Sequence, residues 1–124
     1  IFPELFRGFV VRGASFMANI TNDAWFGETS GPWQHLGTLP LRAVEHPVAI
    51  ARAANTGVSA FVAPTGRIEP MLPLLERGVL ARRIPLRTRS TLYTRLGDWL
   101  VYLSAALGVA AAGVAHYRRS PAPC

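Results

Sequence analysis

The chain has 124 residues, of which 13 are basic and 7 acidic, so its formal net charge is +6. Every basic residue is arginine, and the arginines are scattered without a basic stretch or a recognisable nucleic-acid-binding module. We therefore expect no nucleic-acid partner, and we expect a membrane with anionic head groups to account for the charge. The one cysteine, Cys124, and three widely spaced histidines predict neither a disulfide framework nor a metal site, and no cofactor is expected.

The first two predicted elements are a helix and a strand. Apolar residues recur at helical spacing from Glu4 to Val11, and Pro3 suits the first turn of a helix. Gly13 ends this helix, and the apolar run from Phe16 to Ile20 predicts a short buried strand. Together they form one αβ unit.

Polar and aromatic residues follow this strand directly. Asn22 and Asp23 favour turns and caps, Trp25 and Phe26 come next, and Gly27 releases the backbone. A strand that ends in polar residues and large aromatics is a common way to wall a pocket. Alternatively, the two aromatics plug the end of the sheet. The pattern alone leaves both roles open.

A second helix is predicted from Pro32 to Glu45, capped by Ser30 or Gly31. Pro40 removes one backbone hydrogen bond inside this helix and is expected to kink it. Arg42 and Glu45 are three residues apart and therefore share one face. They form either a solvated ion pair or a pair packed against the sheet.

Four further strands are predicted after the second helix. Their ranges are 47–54, 58–62, 68–71 and 79–84, separated by turn signals at Asn55-Thr56-Gly57 and Pro64-Thr65-Gly66-Arg67. The order of elements predicts an α/β fold with mixed strand pairing. It resembles half of an α-β-β-α sandwich.

The last part of the chain changes in character. Residues 87–95 are polar and without periodicity, which predicts a linker. The stretch from Trp99 to Tyr117 carries no charge, and nineteen helical residues rise about 28 Å, close to the thickness of a bilayer core. Aromatic residues at both ends suit the membrane interfaces. We predict a transmembrane helix, and a buried helix of a soluble protein is the alternative.

Five sequence blocks carry a resemblance to a known family. The blocks are 22–27 (NDAWFG), 31–35 (GPWQH), 42–45 (RAVE), 53–57 (AANTG) and 64–68 (PTGRI). In this order and spacing they resemble the C-terminal part of the apolipoprotein N-acyltransferase family, whose catalytic domain belongs to the nitrilase, or carbon-nitrogen hydrolase, superfamily. Pro40 departs from the family pattern and puts the local helix geometry in question.

The resemblance implies a division of the chain. Residues 1–86 correspond to the C-terminal half of a nitrilase-like α-β-β-α sandwich, 87–98 to a linker, 99–117 to one transmembrane helix and 118–124 to a short cytoplasmic tail. The family is bound to the bacterial inner membrane, with its catalytic domain on the outer, periplasmic face. Counting arginines on the two sides of the helix does not decide this orientation.

The resemblance also implies an activity and its residues. The family transfers an acyl chain from a phospholipid donor to a diacylglyceryl lipoprotein acceptor through a cysteine thioester. Its catalytic Glu, Lys and Cys fall upstream of Ile1, so we expect this chain to be a fragment that is inactive alone. Trp25 and Phe26 are expected to line the acyl pocket, and Asn22 and Asp23 to hold their loop. A soluble amidase of the same superfamily and a non-enzymatic, membrane-anchored remnant are the alternatives.

Overall fold

The computed structural model describes residues 2–119, with the side chain of Arg119 left out. The elements are α1 (Pro3–Val11), β1 (Phe16–Asn22), a 3-10 turn (Ala24–Phe26), α2 (Gly31–Glu45), β2 (Ala49–Asn55), β3 (Ser59–Val62), β4 (Ile68–Leu72), α3 (Leu92–Leu96) and α4 (Trp99–Arg119). They confirm the predicted α/β fold class. Cys124 and the rest of 120–124 lie outside the described residues, so the structure does not bear on the predicted tail there.

The four strands form one mixed sheet in the order β1-β2-β3-β4. The first two strands are parallel and are connected through α2, whereas the other two pairs are antiparallel. The parallel register runs from Phe16 opposite Ala49 to Asn22 opposite Asn55. Both strands therefore end at the same edge of the sheet, where their polar residues lie side by side.

Helices α1 and α2 cover one face of the sheet and form the core with it. The helices contribute apolar residues at helical spacing, and the sheet side contributes mostly small and β-branched ones. The buried cluster consists of Phe6, Val10, Leu36, Leu39, Ala43, Val48, Ile50, Val58, Ala60 and Val62. The opposite face is open at β1, where Phe16 and Ile20 are 46% and 84% exposed, so the strand predicted there forms but is not buried within the described residues.

Helix α2 continues through Pro40, and its first turn contains Pro32. Arg42 donates to Glu45 across 2.9 Å. The two side chains are only 12% and 28% exposed, so this is a packed pair rather than a solvated one.

Two further sequence expectations differ from the structure. The strand predicted at 79–84 is wrong, because no strand is assigned there and the Val79 side chain is 93% exposed. An apolar run becomes a strand only where it finds a neighbouring strand to pair with, and here the contact to β4 is an ion pair between Arg82 and Glu69. The predicted linker contains the short helix α3, which Thr91 caps by accepting from the Thr94 backbone N–H.

Helix α4 is long and apolar. Among the described residues it is the one helix with the length and composition to cross a membrane, and its mean hydropathy is 1.5. Leu100, Leu107, Val109 and Val114 are all more than half exposed. Helix α4 is thus a candidate membrane span by its length, composition and exposed apolar side chains within the described residues.

Candidate functional site

The site is built where β1 and β2 end. Asn22 Oδ1 accepts from the Ala24 backbone N–H at 3.1 Å, which turns the chain away from the strand. The same oxygen accepts from Asn55 Nδ2 at 3.2 Å. The Asp23 backbone N–H donates to the Asn55 carbonyl at 3.1 Å. The start of the aromatic loop, defined as residues 22–27, is thereby fixed to the end of the neighbouring strand.

The aromatic loop holds its two rings differently. It closes with the Phe26 N–H donating to the Asp23 carbonyl at 3.0 Å, and Gly27 then takes a φ of +56°, which favours glycine. Phe26 packs its ring against α2: a Cβ built on Gly31 would approach Phe26 Cδ1 to 2.6 Å. Trp25 contacts Phe26 edge-on, with ring centroids 6.4 Å apart, and its side chain is 75% exposed. Within the described residues Trp25 is therefore exposed and fills no core.

A buried ion pair lies beneath the aromatic loop. Arg52 Nη2 donates to Asp23 Oδ2 at 2.6 Å, and both side chains are fully buried. The other guanidinium nitrogens are also used: Nη1 donates to Asn19 Oδ1 at 2.7 Å and Nε to the Val58 carbonyl at 3.1 Å. Burial lowers the pKa of Arg52, and the Asp23 carboxylate opposes that shift. Because all three nitrogens of the planar guanidinium donate hydrogen bonds, the group is fixed and holds the Asp23 carboxylate in one position.

Two more side chains complete the Asp23 environment. His35 Nδ1 lies 2.9 Å from Asp23 Oδ1, and Thr21 Oγ1 donates to the same oxygen at 3.3 Å. Because the carboxylate only accepts, we assign the His35 proton to Nδ1. A Cβ on Gly57 would lie 2.4 Å from Asp23 Oδ2, so only glycine fits against this carboxylate. A carboxylate with these partners is suited to hold the loop rather than to take a proton from a substrate.

An open cleft lies at the ends of β1 and β2, and no residue of the aromatic loop is among those that line it. Its volume is about 660 Å³, within the range of small-molecule sites. Ile20 and Thr21 from the end of β1, Asn55 from the end of β2 and Leu72 and Leu75 from the far side are among its lining residues. The apolar residues among them could contact a hydrocarbon chain.

Comparison with known proteins identifies the family. Residues 1–93 match the family model of the carbon-nitrogen hydrolases. The chain belongs to the carbon-nitrogen hydrolase family. This carbon-nitrogen hydrolase chain is 41% identical over 120 residues to the apolipoprotein N-acyltransferase of Geobacter metallireducens, covering 97% of the chain and 23% of that protein. It is 40% identical over 119 residues to the apolipoprotein N-acyltransferase of Chlorobaculum tepidum, covering 96% and 22%.

The predicted resemblance is thus confirmed, and the chain spans less than a quarter of the length of these two relatives. Among solved structures, an amidase from Nesterenkonia sp. AN1 matches with a TM-score of 0.50 at 23% identity. The match covers 83% of this chain and 40% of the amidase. At that identity the likeness concerns the fold alone, and it places the carbon-nitrogen hydrolase chain in the nitrilase-type architecture.

In this carbon-nitrogen hydrolase the structure brings together all four residues singled out from the sequence. Asn22 and Asp23 make the turn, and Trp25 and Phe26 stand on it. Sequence reasoning missed Arg52, which forms an ion pair with Asp23. It also did not predict that His35 and Gly57 contact Asp23. One signal was available: Arg52 is a lone charge inside an otherwise small, apolar strand. Such a charge needs a buried partner.

Proposed function

We propose that this chain is the C-terminal part of an N-acyltransferase. The enzyme moves an acyl chain from a phospholipid to the α-amino group of a diacylglyceryl-cysteine at a lipoprotein's N-terminus. The observation that carries the proposal is the match to apolipoprotein N-acyltransferases over 97% of the chain, far enough to include α4. Because the chain spans 23% of that relative, the activity belongs to the longer protein.

The proposed reaction has two steps, both at a cysteine supplied outside this chain. The thiolate attacks the phospholipid ester carbonyl, a thioester forms, and the lysophospholipid alkoxide leaves and takes up a proton. The amino nitrogen of the acceptor then attacks the thioester, loses a proton and forms an amide, and the thiol is regenerated. A glutamate acts as the base and a lysine stabilises the oxyanion. This chain contains no lysine, so at least that group comes from elsewhere.

The proposed role of this chain is to form part of the acyl pocket. Trp25 and Phe26 contact the acyl chain, and Asn22 and Asp23 hold the aromatic loop in place. The exposed Trp25 side chain and the buried Asp23 carboxylate support this division of roles. An aromatic ring on a rigid turn contacts an apolar chain at a low cost in conformational entropy.

The proposed location is the bacterial inner membrane. Helix α4 spans the bilayer with the C-terminus in the cytoplasm, which puts the catalytic domain on the periplasmic side. The exposed apolar surface of α4 supports the span. If the chain with and without residues 97–124 partitions equally into the aqueous phase after membrane extraction, α4 is not an anchor.

The activity is tested with the complete enzyme reconstituted in phospholipid vesicles. Mass spectrometry should find one acyl chain in thioester linkage on a cysteine upstream of Ile1. A Cys124→Ala variant is the matched control, and it should acylate at the wild-type rate. Acylation of Cys124 itself, or hydrolysis of small amides without any acyl-enzyme from phospholipid, would contradict the proposal. The second outcome would favour a soluble-type amidase, the activity named for the structural neighbour.

A further inference from the structure

Helix α3 accepts hydrogen bonds from a side chain of α1, that of Arg7. Its Nε donates to the Thr94 carbonyl at 3.0 Å and, more weakly, to the Tyr93 carbonyl at 3.4 Å. Its Nη2 donates to the Arg95 carbonyl at 2.8 Å. These carbonyls belong to the last turn of α3, where that of Tyr93 also accepts from the Gly97 backbone N–H at 2.8 Å, and a cation there suits the helix dipole. Arg7 of α1 thus caps the C-terminal end of α3.

The other side of α3 is bound to the end of α2. The hydroxyls of Thr91 and Thr94 both donate to the Glu45 carbonyl. His46 Nδ1 lies 2.9 Å from Thr94 Oγ1, and the buried His46 ring lies between Phe6 of α1 and Tyr93 of α3, with centroid distances of 5.6 and 5.5 Å. The three helices therefore meet around His46. The segment 91–96 is docked on the domain and does not behave as a free tether.

Little chain separates this docked helix from α4. Helix α3 ends at Leu96, only Gly97 and Asp98 intervene, and α4 begins at Trp99. Gly97 has a φ of +63°, which favours glycine, and a Cβ there would lie 3.4 Å from Arg7 Cζ. The Asp98 carbonyl accepts from the backbone of Val101 and so starts α4. A connection of two residues transmits the position of α3 to α4.

We propose that Arg7 is a positioning residue that fixes the place of the domain relative to the bilayer surface. The inference rests on the proposed function, in which α4 spans the membrane. Helix α1 packs into the core of the domain, and its Arg7 holds the helix from which α4 continues, so Arg7 joins the domain to the span. Without Arg7, α3 keeps only its contacts to Glu45 and His46, and its last turn and α4 move more against the domain. A bilayer-bound ester then reaches the cysteine less often, whereas a soluble ester is unaffected.

The test compares Arg7→Ala with Arg12→Ala in the complete enzyme. Arg12 lies on the same helix with its side chain exposed, so it controls for the loss of one positive charge. Three quantities are measured: amide hydrogen exchange across 91–98, thioester formation in phosphatidylethanolamine–phosphatidylglycerol vesicles, and acylation by the soluble ester p-nitrophenyl butyrate. An Arg7→Lys variant keeps a donor at the helix end and should recover part of any loss.

For Arg7→Ala we expect faster exchange across 91–98 and about tenfold slower thioester formation from vesicles. Acylation by the soluble ester should stay within about twofold of wild type, because α1 and its surroundings keep their core packing. Unchanged exchange, an unchanged vesicle rate, or an equal loss with both esters would overturn the inference. A wild-type enzyme that transfers no acyl chain from vesicles contradicts the proposed function instead, so the two failures are distinguishable.

Discussion

Arg52 Nη2 lies 2.6 Å from Asp23 Oδ2, and this buried pair joins the middle of β2 to the start of the aromatic loop. The two residues are 29 positions apart, so the pair forms only when the parallel register of β1 and β2 is in place. Asp23 in turn supplies the carbonyl that closes the turn carrying Trp25 and Phe26. The loop conformation is therefore a consequence of tertiary packing more than of local propensity.

Replacing Arg52 with alanine should destabilise the fold strongly. The change leaves the Asp23 carboxylate buried without its cation, and the expected loss in the free energy of unfolding is about 3–5 kcal/mol. Denaturant unfolding of the complete enzyme measures it. Arg67→Ala is the matched control, since Arg67 pairs with Glu69 through a side chain that is 74% exposed, and it should cost less than about 1 kcal/mol. Similar losses in both variants would contradict the role given to Arg52.

Gly57 offers a second test of the same packing. A Gly57→Ala methyl group would meet Asp23 Oδ2 at 2.4 Å, so either the carboxylate or the backbone must move. We expect a loss of about 1–3 kcal/mol in stability, as for other overpacked sites. Gly37→Ala on α2 is the comparison, because its added methyl meets nothing within 4 Å, and it should stabilise the helix slightly. A Gly57→Ala protein as stable as wild type would show that the contact with Asp23 is loose.

Local patterns predicted most of the framework. The spacing of apolar residues predicted the positions of α1 and α2, and the apolar run before Asn22 predicted the position of β1. The anchor of the aromatic loop could not be predicted in the same way. Arg52 is distant in sequence from Asp23, and the need for glycine at Gly57 becomes visible only when the carboxylate is placed beside it.

Two further elements show why the remaining differences arose. Helix α3 has only five residues, too few for a periodic signal, and it is held by Arg7 from outside. The stretch from Val79 to Ile84 has the composition of a strand, yet it forms no ladder with β4, the edge strand whose Glu69 pairs with Arg82. Composition alone therefore does not decide whether a segment pairs with the strand beside it.

His46 makes stability depend on pH. Burial, and then the nearby Arg42, Arg7 and Arg87, lower the pKa of its imidazole from 6.5 to about 4. Below pH 6.5 the unfolded chain takes up a proton that the folded protein refuses, so the stability falls as the pH drops from about 6.5 to about 4. The total for this one group is about 3 kcal/mol, and no loss from it is expected above pH 7.

The pH effect is isolated by comparing thermal unfolding of wild type and His46→Asn from pH 4 to pH 8. The asparagine keeps a polar partner for Thr94 but cannot titrate in this range. The stability advantage of wild type at pH 8 should shrink as the pH approaches 4. Two curves that stay parallel across the range would mean that His46 is protonated equally in the folded and unfolded states.

Trp25 provides the most direct test of the central claim that the aromatic loop is part of the acyl pocket. In the complete enzyme reconstituted in lipid, the melting temperature and the rate of thioester formation per folded molecule are measured on the same preparation of Trp25→Ala. Leu39→Ala serves as the core reference, because Leu39 is fully buried and its truncation should cost about 2–5 kcal/mol.

With the Trp25 side chain 75% exposed, Trp25→Ala should leave the melting temperature nearly unchanged. Thioester formation should fall at least about tenfold, since the lost contact with the acyl chain is worth about 25 cal/mol per Å² of apolar area. A large fall in melting temperature with unchanged activity per folded molecule would contradict the account and make Trp25 a core residue of the assembled enzyme.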